Sequence, residues 1–215
     1  MRNFETSNIR NISLLGHRGS GKTTLTEALL YISKFTNKMG SVEEGTTVSD
    51  FDKEETRRLF SINTSIVPVE YGNCKYNFLD TPGYFDFSGE VYSAVRVSGS
   101  AVIVMDATSG VEVGTEKAWR ILEEKKLPRI IFINKMDKGY INYEKLLREM
   151  KEKFGKKIAP FCVPIGDKEE FKGFVNVVEL IGRIFNGVEC VDGPIPEDLD
   201  ISEVRSLLLE AVAET

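Results

Sequence analysis

Apolar runs short enough for strands alternate along the chain with stretches whose apolar residues recur at helical spacing. Ile9–Leu15 has the continuous apolar character of a buried parallel strand, and Leu25, Ala28, Leu29 and Ile32 then repeat at intervals of three and four, one face of a helix. Residues 36–58 are polar without a sustained period, and their charge-rich end, residues 50–58, is expected to be mobile rather than packed. Residues 62–71 and 74–79 flank Gly72-Asn73 in the pattern of a β-hairpin. Residues 101–105 and 129–133 read as central parallel strands, with residues 116–126 between them at helical spacing and closed by Leu127-Pro128. Tyr143–Phe154 is a further amphipathic helix that stops at Gly155. Beyond Lys156 the character changes: residues 159–165 and 171–178 read as strands of a smaller unit, and residues 201–213 as a terminal helix. The alternation predicts an α/β protein, a doubly wound, mainly parallel sheet with helices on both faces, followed by the start of a small α+β subdomain.

Three motifs fall at the ends of the predicted strands. Gly16-His17-Arg18-Gly19-Ser20-Gly21-Lys22-Thr23 matches GxxxxGK[ST] between the first strand and the first helix, the place a phosphate-binding loop must occupy, so the fold class becomes a P-loop NTPase. There a helix N-terminus and a nest of backbone N–H groups face a polyphosphate. His17, Arg18, Gly19, Ser20, Gly21, Lys22, Thr23 and Thr24 are the candidate nucleotide-binding residues, with Lys22 reaching the terminal phosphates and the Thr23 hydroxyl binding Mg²⁺. Asp80-Thr81-Pro82-Gly83 follows the strand that ends at Leu79. A carboxylate there holds Mg²⁺ through water, and the Gly83 N–H touches the terminal phosphate; on its own the tetrapeptide is equally a turn. Asn134-Lys135-Met136-Asp137 follows the apolar run 129–133, at the strand edge where open α/β sheets take ligands. The Asp137 carboxylate can accept both N–H donors of a guanine edge, Asn134 bonds the base and its neighbours, and the Lys135 stem covers the ring. Adenine would leave that carboxylate partly unpaired, a mismatch that discriminates strongly at a buried polar site.

Composition narrows the picture only a little. The 215 residues allow one nucleotide-binding core, residues 1–157, and a partial second unit, residues 158–215. A net charge of −5 gives no general basic surface for nucleic acid, although a factor docking through other domains need not be basic here. Cys74, Cys162 and Cys190 are odd in number and lack CxxC or Cys/His spacing, so they read as reduced, packing cysteines. With no apolar stretch near ~18 residues and no leader pattern, the expectation is a cytoplasmic protein with no membrane partner.

Together the motifs resemble the translational GTPases, and within them the elongation factor G group. Leu25-Thr26-Glu27-Ala28-Leu29-Leu30-Tyr31 is similar to the family's first helix, and Gly40-Ser41-Val42-Glu43-Glu44-Gly45-Thr46-Thr47-Val48-Ser49-Asp50 to its first switch. Asp86-Phe87, Glu90-Val91, Arg96, Asp106-Ala107, Gly110-Val111-Glu112 and Trp119-Arg120 are also similar. Pro164-Ile165-Gly166 and Phe171-Lys172-Gly173-Phe174-Val175-Asn176 resemble the start of the subdomain that group inserts in its GTPase domain. The resemblance implies binding of GTP/GDP with Mg²⁺ and hydrolysis coupled to work on the ribosome, commonly translocation of tRNA and mRNA. It further implies a monomer that meets ribosomal RNA and ribosomal proteins through a longer, multidomain protein of which this chain is a piece. Under it Lys22, Asp80, Gly83 and Tyr84 are the catalytic set and Thr23, Ser61 and Asp80 the metal set.

Several positions depart from that family's pattern. Tyr84 stands where a histidine usually places the attacking water, and a phenol with a pKa near ~10 cannot act as an imidazole would. Arg58-Leu59-Phe60-Ser61 replaces Arg-Gly-Ile-Thr, so Ser61 supplies the hydroxyl expected on Mg²⁺. Gly19 replaces a frequent Asp and Arg18 a frequent Val; Arg18 either adds charge near the terminal phosphate or points to solvent. These changes suggest a divergent paralog. Two alternatives stay open: a ribosome-associated GTP-binding switch with little hydrolysis, and a ribosomal protection factor. A generic P-loop kinase or ATPase is a weaker third.

Overall fold

In the computed structural model, which describes residues 3–139, 141–155, 158–166 and 171–213, Ile9–Leu15 (β1) is the middle strand of a five-stranded sheet. Helix Lys22–Ile32 (α1) follows it directly, and a short helix Lys53–Arg58 (α2) precedes the hairpin Ser65–Tyr71 (β2) and Cys74–Asp80 (β3). Then come Ser88–Val97 (α3), Ser100–Asp106 (β4), Val113–Glu124 (α4) and Arg129–Asn134 (β5), giving the strand order β2-β3-β1-β4-β5. β1 pairs parallel with β3 and β4, and β4 parallel with β5; the β2–β3 hairpin alone is antiparallel, closing at Tyr71 opposite Cys74. Successive strand residues face opposite sides, so both faces need cover. On one face Leu15, Ala101 and Ile103 pack with Val95 of α3 and Ala118, Ile121 and Leu122 of α4. Elsewhere in this unit, Leu30 of α1 packs with Val67 and Val69 of β2. This is the expected doubly wound architecture, and its parallel strand ends β1, β3, β4 and β5 carry the motifs.

Two expectations about this unit change. Residues 129–133 form an edge strand rather than a central one, and Ile130 and Phe132 are 48% and 40% exposed because β5 has a single neighbour, β4. The polar stretch 36–58, whose end at residues 50–58 is expected to be mobile, is anchored at buried Thr47, Ser49, Asp50 and Glu55. Glu27, wholly buried in α1, accepts the backbone N–H of Gly40 at 3.1 Å and of Val48 at 2.7 Å. Asp52 and Glu55 form a capping box that starts α2, and buried Glu55 also accepts Ile62 N–H and Asn63 N–H, each at 2.9 Å. Buried carboxylates, not an apolar stripe, hold this segment.

By compactness Met1–Asp106 and Glu112–Asn134 form one unit and Ala107–Val111 with Lys135–Thr215 another. The partition expected between residues 157 and 158 meets residue 157, which lies outside the described residues, as do Lys156 and the terminal Glu214 and Thr215. In the second unit, helix Tyr143–Phe154 (α5) is capped by Asn142, whose side chain accepts Lys145 N–H at 2.8 Å, and buries Leu146 and Met150. Cys162–Ile165 (β6), Gly173–Asn176 (β7), Ile181–Phe185 (β8) and Cys190–Gly193 (β9) form an antiparallel sheet in chain order, and Ser202–Ala213 (α6) follows. β6, β7 and α6 match the expectation; β8 and β9 are additional.

Candidate functional site

The loop between β1 and α1 turns through Gly16, Gly19 and Gly21, all at positive φ. Two of these positions leave no room for another residue. A Cβ on Gly16 would stand 2.2 Å from the Val104 carbonyl oxygen, and one on Gly21 would stand 2.2 Å from the Asn134 amide nitrogen. Asn134, the last residue of β5, donates its amide N–H to Ser20 O at 2.9 Å and so ties the loop to that strand end. Lys22 opens α1 and is only 6% exposed; its ammonium donates to Gly16 O at 3.1 Å and His17 O at 3.0 Å. Burial lowers its pKa to about 8, against the upward pull of Asp80, Asp50 and Glu112.

Asp80 ends β3 and is 1% exposed. Neither carboxylate oxygen has a hydrogen-bond partner of normal geometry. Burial pushes the carboxyl up to about 7, with Lys22 and the Thr23 hydroxyl pulling the other way. The Thr23 and Ser61 hydroxyls lie 3.2 Å apart and share a hydrogen bond. Two hydroxyls and an unsatisfied carboxylate make an all-oxygen donor set that suits a hard divalent cation such as Mg²⁺. Among the described residues no cluster of three His, Cys, Asp or Glu could hold a metal, so such a cation would depend on these hydroxyls and on ligand oxygens. Buried Asp50, whose pKa burial raises, also acts on both Lys22 and Asp80, a member of the site that its sequence position did not disclose.

Gly83 lies against the loop: a Cβ there would sit 2.7 Å from Arg18 Cα and 2.8 Å from both Arg18 N and Lys22 Nζ. Tyr84 follows, and its hydroxyl accepts a hydrogen bond from the Arg18 guanidinium at 2.5 Å. Arg18 Cζ is 5.1 Å from the Tyr84 ring centroid, and the Phe60 ring backs Tyr84 at 4.5 Å. Arg18 is exposed, with its guanidinium bonded to Tyr84. His17 Nε2 lies 3.5 Å from Glu112 Oε1, and the loop passes so near α4 that a Cβ on Gly114 would stand 2.6 Å from His17 Cα. The first unit therefore brings together the loop, Ser61, Asp80, Gly83, Tyr84 and Asn134. Lys135, at φ 62, and exposed Asp137 continue the chain from β5 into the second unit. Sequence reasoning missed Asp50, Glu27 and Phe60; for the acids no periodic signal existed, because a buried carboxylate and a solvated one look alike in a polar run.

A glycine-turned loop between a buried parallel strand and a helix, with a buried carboxylate closing the neighbouring strand, defines a P-loop nucleotide-binding protein. The model of the elongation factor Tu GTP binding domain matches residues 7–214, and the chain belongs to that family. Among its relatives are elongation factor G proteins. It is 40% identical over 216 residues to elongation factor G of Chlamydia caviae, covering 98% of this chain and 31% of that protein. It is 35% identical over 217 residues to elongation factor G of Mycoplasma pneumoniae, covering 99% and 32%. A Thermus thermophilus protein of known crystal structure superposes with a TM-score of 0.91 at 34% identity, over 97% of this chain and 32% of that one. The chain spans about a third of the length of these relatives.

Proposed function

We propose that the chain binds GTP and hydrolyses it to GDP and phosphate, as the GTPase domain of an elongation factor G-like factor that works in the cytoplasm, as a monomer, on the ribosome. The observation that carries the reading is the polar group set around the loop. Buried Lys22 is held only by loop carbonyls, and buried Asp80 has two unmatched oxygens next to the Thr23–Ser61 pair. A polyphosphate with its cation would complement both charges, whereas the nucleotide-free fold leaves them poorly matched. Residues 1–157 are read as the GTP-binding core and residues 158–215 as part of an inserted subdomain, since all four strands of the second sheet follow residue 158.

Lys22 exchanges the Gly16 and His17 carbonyls for terminal phosphate oxygens, and the N–H groups of Gly19 to Thr23, with those of His17, Arg18 and Thr24 flanking, enclose the phosphates. Mg²⁺ held by the Thr23 and Ser61 hydroxyls, with Asp80 acting through water, would offset the charge of the phosphates. The Gly83 N–H meets the terminal phosphate, and its lack of a side chain is what allows the approach. Asn134, Lys135 and Asp137 select guanine. Loss of the terminal phosphate releases residues 46–61 and 83–88, which changes what the surrounding ribosomal RNA and proteins meet. Translocation of tRNA and mRNA is the work this switching serves.

A second reading, a ribosome-bound GTP switch with little turnover, draws on one observation: the Tyr84 hydroxyl is occupied by Arg18. Ribosome protection uses the same core and differs only in domains beyond it. Competition of GDP, GTP and ADP against a fluorescent guanine nucleotide tests the binding claim. GDP and GTP should displace it and ADP should not; equal displacement by ADP would sink the assignment of Asn134, Lys135 and Asp137. Single-turnover hydrolysis by the longer parent, with and without ribosomes, separates the enzyme from the switch.

A further inference from the structure

We infer that Arg18 is the cation that meets the terminal phosphate of GTP, and that Tyr84 serves it as a positioning residue instead of orienting water itself. The inference rests on the GTPase reading and specifies how that site works.

The first support is where Arg18 is rooted. One point, the Cβ position of Gly83, lies 2.7 Å from Arg18 Cα and 2.8 Å from the Lys22 ammonium, so the two are no farther apart than the sum of those distances. A guanidinium on that short tether shares the neighbourhood of the lysine that takes the terminal phosphates. The second support is what holds it. Among the described residues Arg18 has no carboxylate within ion-pair distance. Its partner is the neutral phenol of Tyr84, hydrogen-bonded at 2.5 Å and stacked near the guanidinium at 5.1 Å. A carboxylate would cancel the positive charge; a phenol fixes its direction and leaves it intact. Lys22, by contrast, feels Asp80, Asp50 and Glu112. The third support is the backing of the ring: Phe60 lies 4.5 Å behind Tyr84, and Phe87 6.5 Å from Phe60. Phe60 precedes Ser61 and Tyr84 follows Gly83, so the ring contact joins the two segments that would touch GTP, and Tyr84 carries it to Arg18.

In the reaction the water oxygen bonds to the γ-phosphorus as the bond to the β–γ bridging oxygen breaks. GDP leaves with that electron pair, and the water proton passes to the released phosphate. Arg18 accepts no proton; it stabilises charge on the phosphoryl oxygens, the role for which an arginine is suited. The chain replaces an imidazole by a pair, an arginine that carries charge and a phenol that aims it.

The test uses the 215-residue chain with Mg²⁺, measuring GDP and GTPγS affinity by displacement of a fluorescent nucleotide together with single-turnover GTP hydrolysis. Arg18→Ala should weaken GTPγS by roughly tenfold, leave GDP within about threefold, and slow hydrolysis by about a hundredfold. Arg18→Lys should recover part of the affinity and little of the rate. Tyr84→Phe, which keeps the ring and removes the hydroxyl, should move both readouts in the same direction as Arg18→Ala and add nothing to the Arg18→Ala variant. Equal loss of GDP and GTPγS in Arg18→Ala would overturn the inference, since that is damage to the loop. So would a Tyr84→Phe effect on hydrolysis that is as large without Arg18 as with it, since the phenol would then act on water. Should the unsubstituted chain bind guanine nucleotides and the Arg18 variants match it in every readout, the inference alone falls; if it binds none, the GTPase reading falls with it.

Discussion

Asp80→Asn should stabilise the nucleotide-free protein at pH 8 and leave it nearly unchanged at pH 5. In the folded chain burial pushes the Asp80 carboxyl up from its ordinary 3.8 to about 7. Between those values the folded state keeps a proton that the unfolded state has released, so this group's contribution is greatest in acid and is lost as pH rises toward 7. From pH 5 to pH 7 the loss is about 3 kcal/mol, two pH units at about 1.4 kcal/mol each, with little further change to pH 8. Asparagine does not titrate, but its buried amide inherits a setting in which neither carboxylate oxygen found a partner, which costs about 1–2 kcal/mol. The carboxyl has already lost about 1–2 kcal/mol between pH 3.8 and pH 5, so the variant should match the unsubstituted chain to within about 1 kcal/mol at pH 5 and exceed it by about 3 kcal/mol at pH 8. Lys22 keeps the gain at the lower end, because the substitution removes an anion that raises its pKa. Urea unfolding followed by the fluorescence of Trp119, which packs against the core, measures both values. Added GDP with Mg²⁺ should stabilise the unsubstituted chain more than the variant. A stability difference that is the same at both pH values would refute the reasoning, since Asp80 would then be ionised throughout in the folded chain.

Gly83→Ala puts a methyl group 2.7 Å from Arg18 Cα and 2.8 Å from Lys22 Nζ, so nucleotide affinity should fall by roughly tenfold or more and stability by about 1–3 kcal/mol. A fluorescent-nucleotide titration beside a thermal melt checks both. Glu27→Ala strips two N–H groups, of Gly40 and Val48, of their charged acceptor and should cost about 3 kcal/mol in urea unfolding, with faster proteolytic cleavage within residues 40–50. Gly173→Ala should destabilise the antiparallel sheet by about 2–4 kcal/mol: at φ 153 its Cβ would meet the Arg183 carbonyl oxygen at 1.9 Å, and amide exchange should accelerate across β7 and β8.

What could be read from the sequence is what short-range chemistry dictates. The loop was legible because Gly16, Gly19 and Gly21 each supply a positive φ that few residues tolerate, directly ahead of Lys22 and Thr23. The hairpin was legible because a two-residue turn at Gly72-Asn73 leaves one register, Tyr71 opposite Cys74. Strand order was not, since the run 129–133 looks the same whether it has two neighbours or one, and pairing partners are a long-range property. The anchoring of the polar stretch 36–58 was not legible for a different reason. Its anchors are Glu27 and Glu55, and hydrophobic periodicity gives a carboxylate no weight even when it is wholly buried and accepts two or three backbone N–H groups. The site was legible by residue type, but the bond from Arg18 to Tyr84 depends on how closely Gly83 approaches the loop.

The loop holds two cations in opposite settings, and the difference bears on how the site works. Lys22 is buried and donates to its own loop's carbonyls, and Asp80, Asp50 and Glu112 offset only part of the cost of burying its charge. Arg18 is exposed, lacks a carboxylate partner among the described residues and rests on a neutral ring. Water screens the exposed guanidinium more than the buried ammonium, so the contribution of Arg18 grows as a bound ligand excludes water. On the inference above, Lys22 holds phosphates in any nucleotide state, while Arg18 responds to the one phosphate that differs between GTP and GDP. Phe60 packs on Tyr84 and Tyr84 bonds Arg18, so the ring pair links the two segments that would contact that phosphate.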